Sequence, residues 1–168
     1  DRGLIRYLMR HRHTTPFEMV EFKFHCKMPI FVARQWVRHR TANINEYSLR
    51  YSEARDDFYV PKKEHIQFQS ALNKQGRMGE VSDELKNKVQ SYFQEISDRS
   101  FEIYSELNQA GVARELARAV LPVNLYTEWY WKNDLHNLLH FVGLRSDSHA
   151  QYEIRVFSDS MAESIKSV

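Results

Sequence analysis

Apolar positions recur at two different periods along this chain, and each change of period marks a boundary. Leu4, Ile5, Leu8 and Met9 are spaced as on one face of a helix, which predicts a helix over residues 2 to 12. Thr15-Pro16-Phe17-Glu18 has the form of a capping box with proline at the first helical position. Only a short turn fits after it. Val20, Phe22, Phe24, Cys26 and Met28 then alternate with Glu21, Lys23, His25 and Lys27, the pattern of a strand with one buried face. Pro29 ends that strand and opens a helix from Ile30 to about Val37.

Residues 39 to 57 are polar and rich in arginine and read as a functional loop, and 61 to 80 read as a variable surface loop. Ser82 is placed to cap a long helix whose first turn carries Asp83 and Glu84, matching the helix dipole. It runs to about Ala110, with Gly111 as its stop. A shorter helix is expected over 113 to 120, closed by Pro122. Leu125 to Trp131 is aromatic and predicts a strand. Leu135 to Leu144 and about 148 to 165 predict two last helices. Helices with a few strands and no βαβ rhythm imply an α+β fold.

Composition narrows the class. Of 168 residues, 42% are hydrophobic and 13% aromatic, enough for a packed core and against wholesale disorder. No apolar run is long enough to span a membrane, and Asp1-Arg2-Gly3-Leu4 lacks the design of a signal peptide. The single cysteine, Cys26, excludes an internal disulfide and a multi-cysteine zinc site. A cytoplasmic location is the default expectation. Net charge is only +2, so the overall field points to no particular partner.

The kind and position of the cations say more. Arginines outnumber lysines by 15 to 9, and a guanidinium grips phosphate or carboxylate with two parallel bonds. Arg34, Arg38, Arg40, Arg50 and Arg55 cluster around one loop. On a helix, Arg34 and Arg38 are four apart and share a face, where they repel by roughly 0.2–0.5 kcal/mol. An anionic ligand would relieve the cluster, and so would ion pairs with Glu46, Glu53, Asp56 and Asp57. Spacing alone leaves both open.

Arg38-His39-Arg40, seven residues, then Ser48, resembles the signature of the flavin-dependent thymidylate synthases. Flanking segments extend the likeness: Thr15 to Glu18, Pro29 to Trp36, Asn45-Glu46, and Arg50-Tyr51-Ser52. Downstream, Ala117-Arg118, Leu121-Pro122, Asn124 to Thr127 and Leu144 to Gln151 also look like blocks of that family. The resemblance covers most of the chain and is weakest over about 61 to 110. It implies one catalytic domain over 1–168, α+β, with helices packed on a small, mostly antiparallel sheet. It also implies that the chain starts within the family's second element, without a preceding strand and helix, and stops early.

The implied reaction passes a methylene group from methylenetetrahydrofolate to dUMP, with FAD, reduced by NADPH, supplying the hydride that completes dTMP. The family is a homotetramer with active sites shared between subunits, and no protein nucleophile attacks the uracil. The implied dUMP contacts are Gln35, Trp36, Val37 and Arg38, then Glu46, Tyr47, Ser48, Leu49 and Arg50, then Arg118 and Arg145. Arg145 matches the arginine that favours the ionised uracil ring and is the implied catalytic residue. Its bland alternative is a helix C-terminal arginine satisfying the dipole. The alternative for Arg118 is a surface residue paired with Glu115.

FAD contacts are implied for Thr15, Arg38, His39, Arg40, Glu46, Asp134, Leu135, His136 and His140, drawn from different subunits. At Asp134 and His140 this chain departs from family members that have asparagine there, and a carboxylate cannot donate as an amide does. His13 matches a histidine near the flavin and folate site, and equally suits a solvated helix end. Cys26 lies on the apolar face of its strand and reads as packing, not as a nucleophile. Ser48 lacks the strained elbow of a serine nucleophile. His136 and His140 are four apart, without the glutamate of the zinc-protease pattern, so no metal is expected.

Two rival classes fit parts of the pattern. Arginines interleaved with Trp36, Tyr47 and Tyr51 suit a nucleic-acid-binding module, against which the near-neutral charge argues. Eight histidines suit a metal-dependent nucleotide phosphohydrolase.

Overall fold

The computed structural model describes residues 1–71 and 76–166. Positions 72–75, within the loop expected over 61 to 80, lie outside the described residues. The described chain forms two compact units. Of the described residues, the first takes 1–26, 37–45 and those from 129 to 166, and the second 27–36 and the described residues of 46–128. The fold is a mixture of helices and small antiparallel sheets, the class the sequence implies.

The first unit opens with helix α1 (Arg2–Arg10), two residues shorter than expected. Arg12, at φ 56°, turns the chain with a left-handed backbone. Helix α2 (Thr15–Glu18) follows with Pro16 in its first turn, but Thr14 occupies the cap position and no side chain caps it. The capping box on Thr15 is thus not made. Thr15 is already helical, so its hydroxyl is not placed to receive the free N–H groups of the first turn.

Strand β1 (Glu21–Pro29) has the expected alternation, with Cys26 and Met28 buried. Strand β5 (Tyr126–Asp134) is longer than the predicted 125–131. Its polar end keeps the alternation, because Asn133 is buried on the face that carries Trp129 and Trp131. Helix α6 (Leu135–Arg145) packs on α2 and on α7 (Tyr152–Lys166), which starts four residues later than expected. Leu138, Phe141, Ile154 and Trp131 are fully buried, with the Trp131 and Phe141 rings 5.2 Å apart. Burial of such a side chain stabilises by roughly 1.5–3 kcal/mol.

In the second unit, helix α3 (Ile30–Trp36) buries Val32, Ala33 and Trp36. It stops before Arg38, so Arg34 and Arg38 do not share a helix face. Helix α4 (Asp83–Gln109) is capped as predicted, with Leu85 N–H donating to Ser82 Oγ at 3.3 Å. Gly111, at φ 79°, supplies the left-handed turn that ends it. The helix expected over 113 to 120 divides into α5 (Arg114–Ala117) and a 3₁₀ turn over Arg118–Val120.

Two pieces of strand were not anticipated. Strand β2 (Asn43–Glu46) lies inside the expected functional loop and joins a three-stranded sheet in the order β1-β5-β2. Strands β3 (Phe68–Gln69) and β4 (Arg77–Met78) form a short antiparallel pair, with Phe68 opposite Met78. Both are too short and polar for a period to be read; cross-strand partners create them.

Candidate active site

In the first unit, α6 carries several of the expected site residues: Leu135, His136, His140 and Arg145, with Asp134 at its start. Asp134 is its N-cap: Oδ1 accepts from Asn137 N–H at 2.8 Å, and Oδ2 accepts from the Asn137 amide at 2.7 Å. Burial raises the carboxyl, but these hydrogen bonds outweigh it and hold Asp134 below the usual carboxylate range. Both oxygens are occupied. Asparagine and aspartate are equally good N-caps, so an aspartate serves this helix start as an asparagine would. Leu135 N–H donates to the Val20 carbonyl at 2.8 Å and ties the helix start to β1.

The other end of α6 holds Arg145. Its Nε–H donates to His39 Nε2 at 2.9 Å. His39 also meets Phe141 edge-on, with centroids 4.9 Å apart, and its ring lies 6.4 Å from that of His140. Burial, the Arg145 guanidinium and His140 together push the His39 imidazolium down to about 4. Burial lowers Arg145 as well. The expected catalytic arginine and an expected flavin residue are therefore a hydrogen-bonded pair. Arg145 does sit in the last turn of its helix, but its side chain is turned to an imidazole.

Arg38 and Arg40 are exposed, and among the described residues neither makes an ion pair. Thr15 and His13 are exposed too, with His13 6.2 Å from the ring of Tyr7. Cys26 is buried, and burial pushes its thiol up to about 12, so the thiolate is essentially absent at neutral pH. No group of three or more histidine, cysteine or acidic side chains converges among the described residues.

In the second unit, Ser48 Oγ accepts from Arg50, at 3.4 Å from its backbone N–H and 3.3 Å from its Nε. Among the described residues, no base hydrogen-bonds to the serine. The Arg50 guanidinium lies 5.2 Å above the Tyr51 ring. Glu46 accepts from the Thr127 hydroxyl at 2.7 Å. Arg118 donates to the backbone carbonyl of Glu115 at 3.3 Å, not to its carboxylate. Gln35 Oε1 is buried without a partner among the described residues, and Trp36 is buried in the core. Val37, in the first unit, is exposed. Tyr47 and Leu49 line a small cleft with Lys27, Arg55, Asp57, Tyr126, Thr127 and Glu128; Ser48 and Arg50 do not.

The carboxylates that could have quenched the arginine cluster are mostly engaged elsewhere. Glu53 pairs with Arg114 at 2.9 Å and Asp57 with Lys27. Within the cluster and among the described residues, Arg55 alone makes an ion pair, with Glu128 at 3.3 Å.

The family model of the thymidylate synthase complementing protein matches residues 1–168. The chain belongs to this family. It is similar to the flavin-dependent thymidylate synthase of Ehrlichia ruminantium (strain Gardel), 58% identical over 166 residues, which cover 99% of this chain and 56% of the relative. A similar likeness extends to that of Ruegeria pomeroyi, 56% identical over 96% of this chain and 55% of the relative. That of Dictyostelium discoideum is 52% identical over 100% and 55%. The chain thus spans just over half the length of these relatives. A solved structure of the UMP/dUMP methylase PolB from Streptomyces cacaoi with 5-Br UMP superposes with a TM-score of 0.92. It is 36% identical, covering 99% of this chain and 76% of that one.

Within this family member, the donor set suits an anionic dinucleotide. Among the described residues Arg38 and Arg40 are forks without an ion pair, and neutral His39 keeps an Nδ1–H donor after Nε2 is used. Sequence reasoning missed Asn137 and Thr127, which hydrogen-bond the expected site residues Asp134 and Glu46, and Arg114, which ties the loop that follows Ser48 and Arg50. Asn137 had a readable signal: it stands three residues after an Asp at a helix start. Arg114 and Thr127 had none, since their partners are 61 and 81 positions away.

Proposed function

We propose that the protein methylates dUMP to dTMP, as a flavin-dependent thymidylate synthase using methylenetetrahydrofolate as carbon donor and NADPH as reductant. The observation that carries this reading is Arg145, a partly buried guanidinium with its Nε tied down, in a chain 52–58% identical to enzymes of that name.

Arg145 stabilises negative charge spreading over the uracil amide and its oxygens. This raises electron density at the ring carbon that takes the methylene unit. Ser48 and Arg50 donate to the nucleotide. Arg38 and Arg118 balance a phosphate that carries nearly two charges, and Gln35 offers its amide. Trp36, Val37, Glu46, Tyr47 and Leu49 complete the nucleotide segment. When bound, FAD supplies the hydride that turns the transferred methylene into a methyl group. Thr15, Arg38, His39, Arg40, Glu46, Leu135, His136 and His140 hold it. Asp134 serves that site by capping the helix that carries His136 and His140, and His13 lies on the flavin and folate side. No side-chain nucleophile takes part, in keeping with the protonated state of Cys26.

The assembly is a homotetramer in the cytoplasm, with sites shared between subunits. The exposed Leu4, Ile5 and Met9 on α1 suit burial against another copy.

Absorbance spectra before and after dUMP test the reading. The expected result is a flavin band that shifts with dUMP, with dTMP appearing once folate and NADPH are added. A colourless protein that takes up neither FAD nor dUMP overturns it.

A further inference from the structure

We propose that His39 is a positioning residue for Arg145: its Nε2 lone pair accepts the arginine's Nε–H and sets the plane of the guanidinium toward a uracil-type ring. The proposal deepens the reading above and rests on it for the identity of the ring.

Geometry assigns the roles. An arginine Nε–H can only donate, so at 2.9 Å the facing His39 Nε2 must be the nitrogen without a proton. The ring is then neutral, with its proton on Nδ1. Among the described residues this is the one hydrogen bond of the Arg145 side chain. It engages the inner N–H and leaves the four outer N–H groups of the fork for a ligand. A guanidinium is planar and rigid, so fixing Nε fixes the direction of all four.

His39 is itself held. Its ring meets Phe141 edge-on at 4.9 Å, Phe141 is fully buried, and Phe141 packs 5.2 Å from the fully buried Trp131. The support of Arg145 therefore comes from the core of its unit and not from solvent. The arginine ends α6, where backbone order alone would hold it least. Among the described residues, the charged and titratable groups acting on His39 are Arg145 and His140, both on α6. Both disfavour the imidazolium, as does burial, so the lone pair stays available across neutral pH. A ring that only filled space would not need its acceptor. That difference separates a positioning role from a packing one.

The test compares His39→Leu, which keeps bulk and loses the acceptor, with His39→Gln, whose amide oxygen can accept. The first readout is exchange of the Arg145 Nε–H by nitrogen-15 NMR, assigned with Arg145→Lys. The second is dUMP turnover at saturating FAD. The expected result is a slowly exchanging Nε–H in the parent protein and His39→Gln, lost in His39→Leu. Turnover is expected to fall about tenfold or more in His39→Leu, with most of it regained in His39→Gln. Thermal melting of each variant separates this from loss of the fold. Equal Nε–H protection in His39→Leu, or a His39→Gln no better than His39→Leu, overturns the proposal. Failure of the parent protein to bind dUMP would instead overturn the functional reading, while Nε–H exchange would still report on the pair.

Discussion

Arg114 on α5 reaches the loop that carries Ser48 and Arg50, with Nη2 2.9 Å from Glu53 Oε1 and Nη1 3.2 Å from the Tyr51 carbonyl. The same loop is tied by the Tyr47 hydroxyl, which donates to the Glu53 carbonyl at 3.3 Å, and by Ala54 N–H, which donates to the Tyr104 hydroxyl at 2.9 Å. Tyr104 is buried in α4, so this loop is anchored to the long helix as well as to α5.

Arg114 and Glu53 are both largely exposed, so their ion pair contributes at most about 1 kcal/mol to global stability. Arg114→Leu should therefore leave the melting temperature nearly unchanged. The loop loses two of its ties, and dUMP affinity should fall about three- to tenfold. Calorimetric titration with dUMP beside thermal melting checks both halves. A large loss of stability with unchanged affinity would show that the pair holds the fold and not the loop.

Asp134→Ala should destabilise by about 0.5–2 kcal/mol, the usual range for loss of an N-cap. Asp134→Asn should cost well under 1 kcal/mol, because an amide oxygen still accepts from Asn137 N–H. Urea unfolding of the two variants separates them. Equal losses would mean that charge, not capping, is what Asp134 supplies.

His39 brings a pH dependence whose sign is set by its lowered value, from 6.5 to about 4. Between these values the unfolded chain binds the proton and the folded chain does not, so stability falls as pH falls through this window. The ring is only partly buried, and the loss is roughly 1–2 kcal/mol after discounting for solvent screening. Unfolding titrations from pH 7 to 4 on the parent and His39→Gln should show a shallower slope for the variant. Parallel slopes would place the titration elsewhere.

Cys26 should be inert in the folded protein. Burial and a thiol pushed up to about 12 predict reaction with a disulfide reagent at least about 100-fold slower than for a free thiol, with full reactivity in denaturant. Cys26→Ser should keep turnover while losing some stability, since a hydroxyl would replace a buried thiol. Rapid labelling of the native protein would contradict the packing assignment.

Local periodicity and capping chemistry determined β1, α3, α4 with its Ser82 cap, and α6, because each depends on contacts within a few residues. The Arg38-His39-Arg40 to Ser48 spacing, taken with its flanking segments, pointed to the family that the whole chain matches. Tertiary structure alone decided the rest. Strand β2 exists because β5 offers it partners, and β5 runs on to Asp134 because Asn133 is drawn into the core. Which carboxylates would quench the arginines could not be read from their nearness in sequence. Glu53 went to Arg114 and Asp57 to Lys27, leaving Arg38 and Arg40 unpaired among the described residues. Arg145 was legible as an arginine of the right motif, but its partner stands 106 positions away. Only the packing of α6 brings an imidazole lone pair to its Nε–H, because hydrogen bonds follow distance in space and a sequence records distance along the chain.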